Sequence, residues 1–333
     1  MKNKIRVGVV GVGQMGTYHA RIYNNLPEVE LVALCEYDET KHEELREQFG
    51  CKIYTDYKEM LSSGTLDAVS IVLPDNMHRE AVEIAVEHDL HILLEKPLAK
   101  ELVDAKAIYD ITKDYHKVFT VGFLLRHDPR FSMIKDRLDS GELGEIIHMY
   151  CRRNSPIYGP KRYIGASDLS MHVMIHDIDY VNWFMGCQPV SVTAKSRSVL
   201  LKEYGMNDVI YAIVTYENGA IACLEACWTL PENSPTIIDD KVELVATKGV
   251  AYVDSCDQGV RFVTGEGVQY PDSRHWYEVN GEIAGDLSEE VRAFVNDVAY
   301  DRKPIVTAKE AYDASRVVDA IERSIKENKE VLV

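Results

Sequence analysis

The sequence predicts an α/β protein: an N-terminal doubly wound parallel sheet, then a C-terminal region built on a second, different sheet. Three observations carry this. The first third alternates short apolar runs with helical patterns, and the first run, 5–10, opens directly into Gly11-Val12-Gly13-Gln14-Met15-Gly16. Beyond Phe123 the pattern changes to a series of strand candidates, two of them joined by a tight turn at Glu217-Asn218-Gly219. Short strands that are apolar nearly throughout are buried on both faces, as in parallel sheets wound by right-handed crossovers. Strands joined by tight turns run antiparallel instead.

In order, strands are expected over 5–10, 29–36, 66–73, 91–94 and 118–123, and helices over 15–26, 41–49, 57–61, 78–88 and 102–115. Thr40 with Glu43 has the spacing of a capping box, in which each side chain satisfies a free donor of the first turn. The later part reads as a helix over 129–138 and strands over 145–152, 190–199, 209–216, 220–228, 241–246 and 260–264, interrupted by a helix over 170–185. Glu217-Asn218-Gly219 supplies a hairpin turn. Helices over 286–300 and 307–328 end the chain, the second opened by Thr307 with Glu310. The domains are therefore drawn as 1–123 and 124–333, with the C-terminal helix free to pack back on the first domain.

A chain of 333 residues is long enough for two cores. Its 37 Lys and Arg against 54 Asp and Glu give a net charge of −17, which argues against nucleic acid or an anionic membrane surface as partner. The seven cysteines form no Cys-x-x-Cys and read as reduced thiols of a cytoplasmic protein. The N-terminus lacks a signal-peptide pattern, and no apolar run approaches the ~18 residues that span a bilayer. The expected partner is a small molecule.

Gly11, Gly13 and Gly16 fit the dinucleotide fingerprint. The first permits the tight turn, the second lets backbone approach a pyrophosphate, and the third lets helix pack against strand; Gln14 and Met15 open that helix at the phosphate-binding end. Glu36 lies twenty positions beyond Gly16 at the end of the next strand. Its carboxylate suits ribose hydroxyls and repels a 2′-phosphate, so NAD is expected over NADP. Pro74, Asn76 and His78 follow the third predicted strand, where ligands meet the carboxyl edge of such sheets. Glu95-Lys96-Pro97 follows the fourth. Lys96 there can hydrogen-bond a substrate hydroxyl and stabilise a developing alkoxide, and a cis bond before Pro97 is open. His172 and His176 stand four apart on a predicted helix. That spacing suits zinc, but no His-Glu-x-x-His and no third ligand accompany it, so no metal is expected. His176, beside Asp177, is the candidate general base. Arg152, Arg153, Lys161 and Arg162 could meet a phosphate.

At these residues, together with His19-Ala20-Arg21, Gly122-Phe123 with Arg126, and His176-x-x-Asp179, the chain resembles the Gfo/Idh/MocA (glucose–fructose oxidoreductase / inositol dehydrogenase) family over almost its whole length. The resemblance implies a Rossmann domain followed by an α/β domain with a large, mostly antiparallel open sheet, which often serves as the oligomer interface of a homodimer or homotetramer. It implies NAD-dependent oxidation of a secondary hydroxyl of a sugar, cyclitol or nucleotide-sugar, or reduction of the ketone. Lys96 and His176 become the catalytic pair, with His172 where many members carry Asp. Glu95 joins the cofactor site, and Arg126, Arg153, Arg162 and Asp177 join His172, His176 and Lys96 around the substrate. That histidine also leaves a non-catalytic NAD(P)-binding sensor of the same fold as the rival reading.

Overall fold

The computed structural model describes residues 4–160, 164–165, 167–256, 258–265 and 267–333. Its contacts divide the chain into two compact units, Met1–His127 with Arg274–Tyr312, and Asp128–Ser273 with Asp313–Val333.

The first unit is a parallel sheet of β1 (Ile5–Val10), β2 (Val29–Cys35), β3 (Lys52–Tyr54), β4 (Ala68–Ile71), β5 (His91–Leu94) and β6 (Phe119–Val121) in the order β3-β2-β1-β4-β5-β6. This is the doubly wound dinucleotide-binding order, with its reversal between β1 and β4. The helices α1 (Gln14–Asn24), α2 (His42–Phe49), α3 (Tyr57–Leu61), α4 (His78–Glu87) and α5 (Leu102–Thr112) are the connections. Val7, Val9, Ile71, Ile92, Leu93 and Leu94 are wholly buried, as strands covered on both faces must be. The three-residue β3 escaped the sequence reading because a run that short has no periodicity to detect.

Capping differs from expectation at one end and agrees at another. Asp38, not Thr40, caps the turn before α2: its carboxylate accepts from the Thr40 N–H at 3.1 Å and the Thr40 hydroxyl at 2.6 Å. A 3-10 turn over Glu39–Lys41 precedes the helix and moves the cap two residues back. The box of Thr307 with Glu310 opens α9 (Ala308–Glu327) as expected, with the Thr307 N–H donating to Glu310 at 2.9 Å.

The chain returns to this first unit late. After β15 (Glu278–Val279) and β16 (Glu282–Ile283), α8 (Asp286–Tyr300) places Leu287, Val291, Phe294 and Val295 in one cluster with Val7, Val9, Ala20 and Leu34. A single cut after Phe123 cannot describe that return, because an amphipathic helix carries no sign of which core it will join.

In the second unit, β12 (Val250–Asp254), β11 (Asp239–Ala246), β7 (Ile146–Pro156), β10 (Ile221–Leu230), β9 (Val209–Tyr216), β8 (Pro189–Arg197) and β17 (Val331–Leu332) neighbour one another in that order. Only the β7–β10 pair is parallel, so the sheet is mixed and mostly antiparallel. Strict alternation gives it two faces. Ile210, Ala212, Val214, Ala222, Leu224, Ala226, Val242 and Leu244 are buried on one. Tyr211, Ile213, Ile221 and Tyr252 are exposed on the other. Helices α6 (Pro129–Asp139) and α7 (Ile175–Met185) pack together, Phe131 meeting Tyr180 edge-to-face at 4.7 Å. The predicted strand over 260–264 is realised outside this sheet, as β13 (Phe262–Thr264) paired with β14 (Gly267–Gln269).

Candidate active site

Backbone hydrogen bonds align the strand ends of the first unit into one row. Gly11 N–H donates to Cys35 O, Val72 N–H to Val10 O, Glu95 N–H to Ile71 O and Gly122 N–H to Leu94 O, each at 2.8–2.9 Å. The glycine turn, the Pro74 loop and Lys96 thus share the carboxyl edge where such sheets bind ligands.

The three glycines have three different reasons to be glycine. Gly11 sits at φ +86, and a Cβ there would lie 2.3 Å from the Val72 carbonyl oxygen. A Cβ on Gly16 would lie 1.8 Å from the Gly11 oxygen. Gly13 would meet nothing of the protein within 4 Å. That open space fits the close approach of a cofactor pyrophosphate. Gly13 is also the N-cap of α1, with no side-chain cap and no acid in the first turn, so the leading N–H groups are left for an anion. Gln14 is exposed and Met15 half-buried beside it.

Glu36 is 5% exposed at the end of β2. One carboxylate oxygen accepts from the Asp38 N–H at 3.1 Å and lies 3.6 Å from Lys41 Nζ. Pro74 and Asn76 are exposed in the next loop, around a 3-10 turn over Asp75–Met77. His78 is instead fully buried, its ring nitrogens 2.9 Å from the carbonyls of Pro97 and Leu73. It ties the Pro74 loop to the Lys96 loop. The Lys96–Pro97 bond is cis.

Glu95 turns inward beneath the half-buried Lys96. Its carboxylate accepts from the Lys96 backbone N–H at 3.1 Å and faces His19 Nε2 at 3.2 Å. His19 Nδ1 is 3.1 Å from Ser70 Oγ, which is 2.7 Å from the Tyr23 hydroxyl. One consistent direction of donation runs Tyr23, Ser70, His19, Glu95. Burial acts against the Glu95 carboxylate, yet His19 and Lys96 outweigh it and hold the group below the usual carboxylate range. Glu290 of α8 stands close enough to complete a three-ligand group with His19 and Glu95. His19 and Ser70 are support that the sequence offered no means of pairing, and Glu290 comes from the far end of the chain.

Arg126 is also interior. Its guanidinium donates to Glu310 at 2.6 Å and to the Ile305 carbonyl at 3.1 Å, fastening the turn after β6 to the start of α9. The side chain is fully buried.

In the second unit the helix carrying both histidines is not uniform. Ser170–Met174 forms a π-helical turn and α7 continues from Ile175. The expected shared face at four-residue spacing is therefore modified at its first member: four residues sweep less of a circle in a π turn than in an α turn. His172 packs near Trp228, ring centroids 6.4 Å apart, and both histidines are half-buried. Arg152 donates to Asp239 at 2.5 Å, while Arg153 is buried against Asp177 and Asp240. Arg153 and Asp177, expected at the substrate, face each other. Arg162 and Lys161 lie outside the described residues.

Among the described residues no helix is long and apolar enough to cross a membrane.

Comparison with known proteins agrees in both units. Residues 5–123 match the oxidoreductase family with an NAD-binding Rossmann fold, and residues 131–252 match the GFO/IDH/MocA C-terminal domain. Myo-inositol 2-dehydrogenase of Thermotoga maritima is 26% identical over 335 residues, covering 98% of each chain. Inositol 2-dehydrogenase of Corynebacterium glutamicum is 30% identical over 229 residues, covering 68% of this chain and 67% of its own. The crystal structure of myo-inositol 2-dehydrogenase from Lactobacillus plantarum superposes with a TM-score of 0.86 at 25% identity, covering 99% of this chain and all 100% of its own. The glycine turn, the ordered strand ends and these matches together place the chain in the Gfo/Idh/MocA oxidoreductase family, as an NAD-dependent dehydrogenase acting on CH–OH groups.

Proposed function

We propose that the substrate is an uncharged cyclitol of the inositol type and that a ring secondary hydroxyl is oxidised to the ketone. The observation that carries this is the state of the arginines. A nucleotide-sugar brings two phosphates, and Arg152 and Arg153 were the described residues offered to meet them. Both are already engaged by carboxylates, Asp239 for the first and Asp177 with Asp240 for the second. A polyol asks for hydrogen-bond donors and acceptors rather than a cationic loop. The inositol dehydrogenases among the relatives support the same class.

In this reading Gly11, Gly13 and Gly16 receive the cofactor's pyrophosphate and Glu36 its adenosine ribose. NAD, when bound, supplies the hydride acceptor. Lys96 donates a hydrogen bond to the reacting oxygen and stabilises charge that develops there. His176 takes the hydroxyl proton. His172 lines the same substrate with a second imidazole.

The open face of the second sheet supports self-association. Tyr211, Ile213, Ile221 and Tyr252 expose apolar surface together, and isologous pairing of such faces gives a homodimer or, repeated, a homotetramer.

The test is NADH appearance across myo-, scyllo- and D-chiro-inositol, hexoses, sugar phosphates and UDP-sugars, with NADP in parallel. Turnover concentrated in the cyclitols is expected. Preference for a UDP-sugar overturns the substrate class, and NAD binding without turnover on any polyol favours the regulatory reading.

A further inference from the structure

One buried group in the second unit holds more charge than packing requires. Arg153 enters it from β7, Asp177 from the first turn of α7 and Asp240 from β11, with side chains 7%, 2% and 0% exposed. The guanidinium donates to Asp177 through Nε at 3.1 and 3.2 Å and through Nη2 at 3.0 Å, and to Asp240 through Nη2 at 3.2 Å. Asp240 Oδ2 also takes a long contact from the Ser255 hydroxyl at 3.4 Å, while its Oδ1 has no hydrogen-bond partner among the described residues. One cation thus faces two carboxylates in the interior. Such groups are poor stabilisers, because desolvation offsets the attraction, and their best-attested use is to fix register or orientation.

The element in need of fixing is adjacent. α7 begins immediately after the π turn Ser170–Met174. A π turn breaks the regular i to i−4 ladder, so the helix ahead of Asp177 does not by itself dictate the rotation at that point. Asp177 lies two residues past α7's first residue and next to His176.

We propose that Arg153 and Asp240 are positioning residues that act through Asp177 on His176: the guanidinium fork ties the first turn of α7 to β7 and β11 and sets the direction in which the imidazole leaves the helix. This rests on the reading of His176 as the proton acceptor. The direction of a helical side chain follows its backbone. A displacement of ~1 Å at a reacting group costs on the order of a hundredfold in rate. The planar fork is essential to the argument, since a lysine brings the charge without holding both carboxylate oxygens.

The experiment uses the intact enzyme with two readouts. In steady-state kinetics, Asp177→Asn is expected to lower kcat about ten- to hundredfold while KM for NAD stays within about twofold. Arg153→Lys should reproduce part of that loss. Asp240→Asn should cost less, because Asp177 keeps the fork. The double variant Asp177→Asn/His176→Asn should turn over no more slowly than His176→Asn alone. The second readout needs no substrate: in enzyme labelled with 15N-histidine, the His176 resonances, assigned by their loss in His176→Asn, should move in Asp177→Asn and Arg153→Lys. An unmoved His176 signal, or losses that multiply in the double variant, overturns the inference. Should Asp177→Asn not fold, Asp240→Asn and Arg153→Lys carry the same two readouts. Wild-type turnover by His176→Asn would remove the reading of His176 as base, and is a separate failure.

Discussion

Lys96 and the glycines show how much hangs on single side chains. Lys96→Ala removes the donor expected at the reacting oxygen, so turnover on the polyol found by the panel should fall about 10²–10⁴-fold. NAD affinity, measured by titration calorimetry, should survive; retained turnover removes Lys96 from the mechanism. Gly13 and Gly16 predict opposite phenotypes. Gly13→Ala meets no protein atom within 4 Å, so the melting temperature should be unchanged while NAD binding weakens tenfold or more, taken as roughly 1.4 kcal/mol. Gly16→Ala places a methyl 1.8 Å from a carbonyl oxygen and should destabilise the apo-protein itself by more than about 4 kcal/mol. Thermal melts with and without NAD separate the two. The glycine turn was legible in the sequence because a fingerprint is local. The pairing of Arg153 with Asp177 and Asp240 was not, since nothing in a strand or helix pattern says which charges will meet across a core.

At the scale of elements, the turn after β6 carries a pH dependence. Burial, reinforced by Arg126, holds His127 in the turn Leu124–His127 down at about 4, against an ordinary 6.5. Burial and Lys117 do the same to His91 at the start of β5. Between pH 6.5 and 4 the unfolded chain binds protons that the folded chain refuses, so stability rises with pH across that window. The contribution is complete above pH 6.5 and is lost as pH falls through about 4. For the deeply buried His127 it is on the order of 3 kcal/mol. Asp177 works in the opposite sense: burial raises it to about 6 against the pull of Arg153, with Asp240 adding to the rise. Its contribution is present at low pH and lost as pH climbs through 6. Urea denaturation at pH 7, 5.5 and 4.5 should therefore show His127→Gln losing less stability on acidification than the wild type; parallel curves would refute the assignment. Most elements were readable from apolar runs and helical spacing. The π turn before α7 was not, because it leaves the 3.6-residue pattern nearly intact while changing what the side chains face.

At the scale of the whole molecule, the exposed side of the second sheet predicts assembly. Ile213→Lys with Tyr211→Asp puts charge into the middle of that face while leaving the buried residues of β9 untouched. The pair should shift the protein toward monomer in light scattering without lowering the melting temperature of each unit, and an unchanged mass would show that copies do not meet there. The doubly wound parallel sheet was foreseeable, since alternating strands and helices with right-handed crossovers leave few alternatives, though the edge place of β3 was not. The chain's late return was not.

That return has a cost in time rather than in contacts. Leu287, Val291, Phe294 and Val295 seal a core whose other walls begin at Val7 and run through Ile53 and Ala68 to Leu93 and Val118, so the ribosome exposes that apolar surface until α8 emerges. Chaperone dependence should concentrate in nascent chains stalled before residue 300, and a release from it should coincide with the emergence of α8.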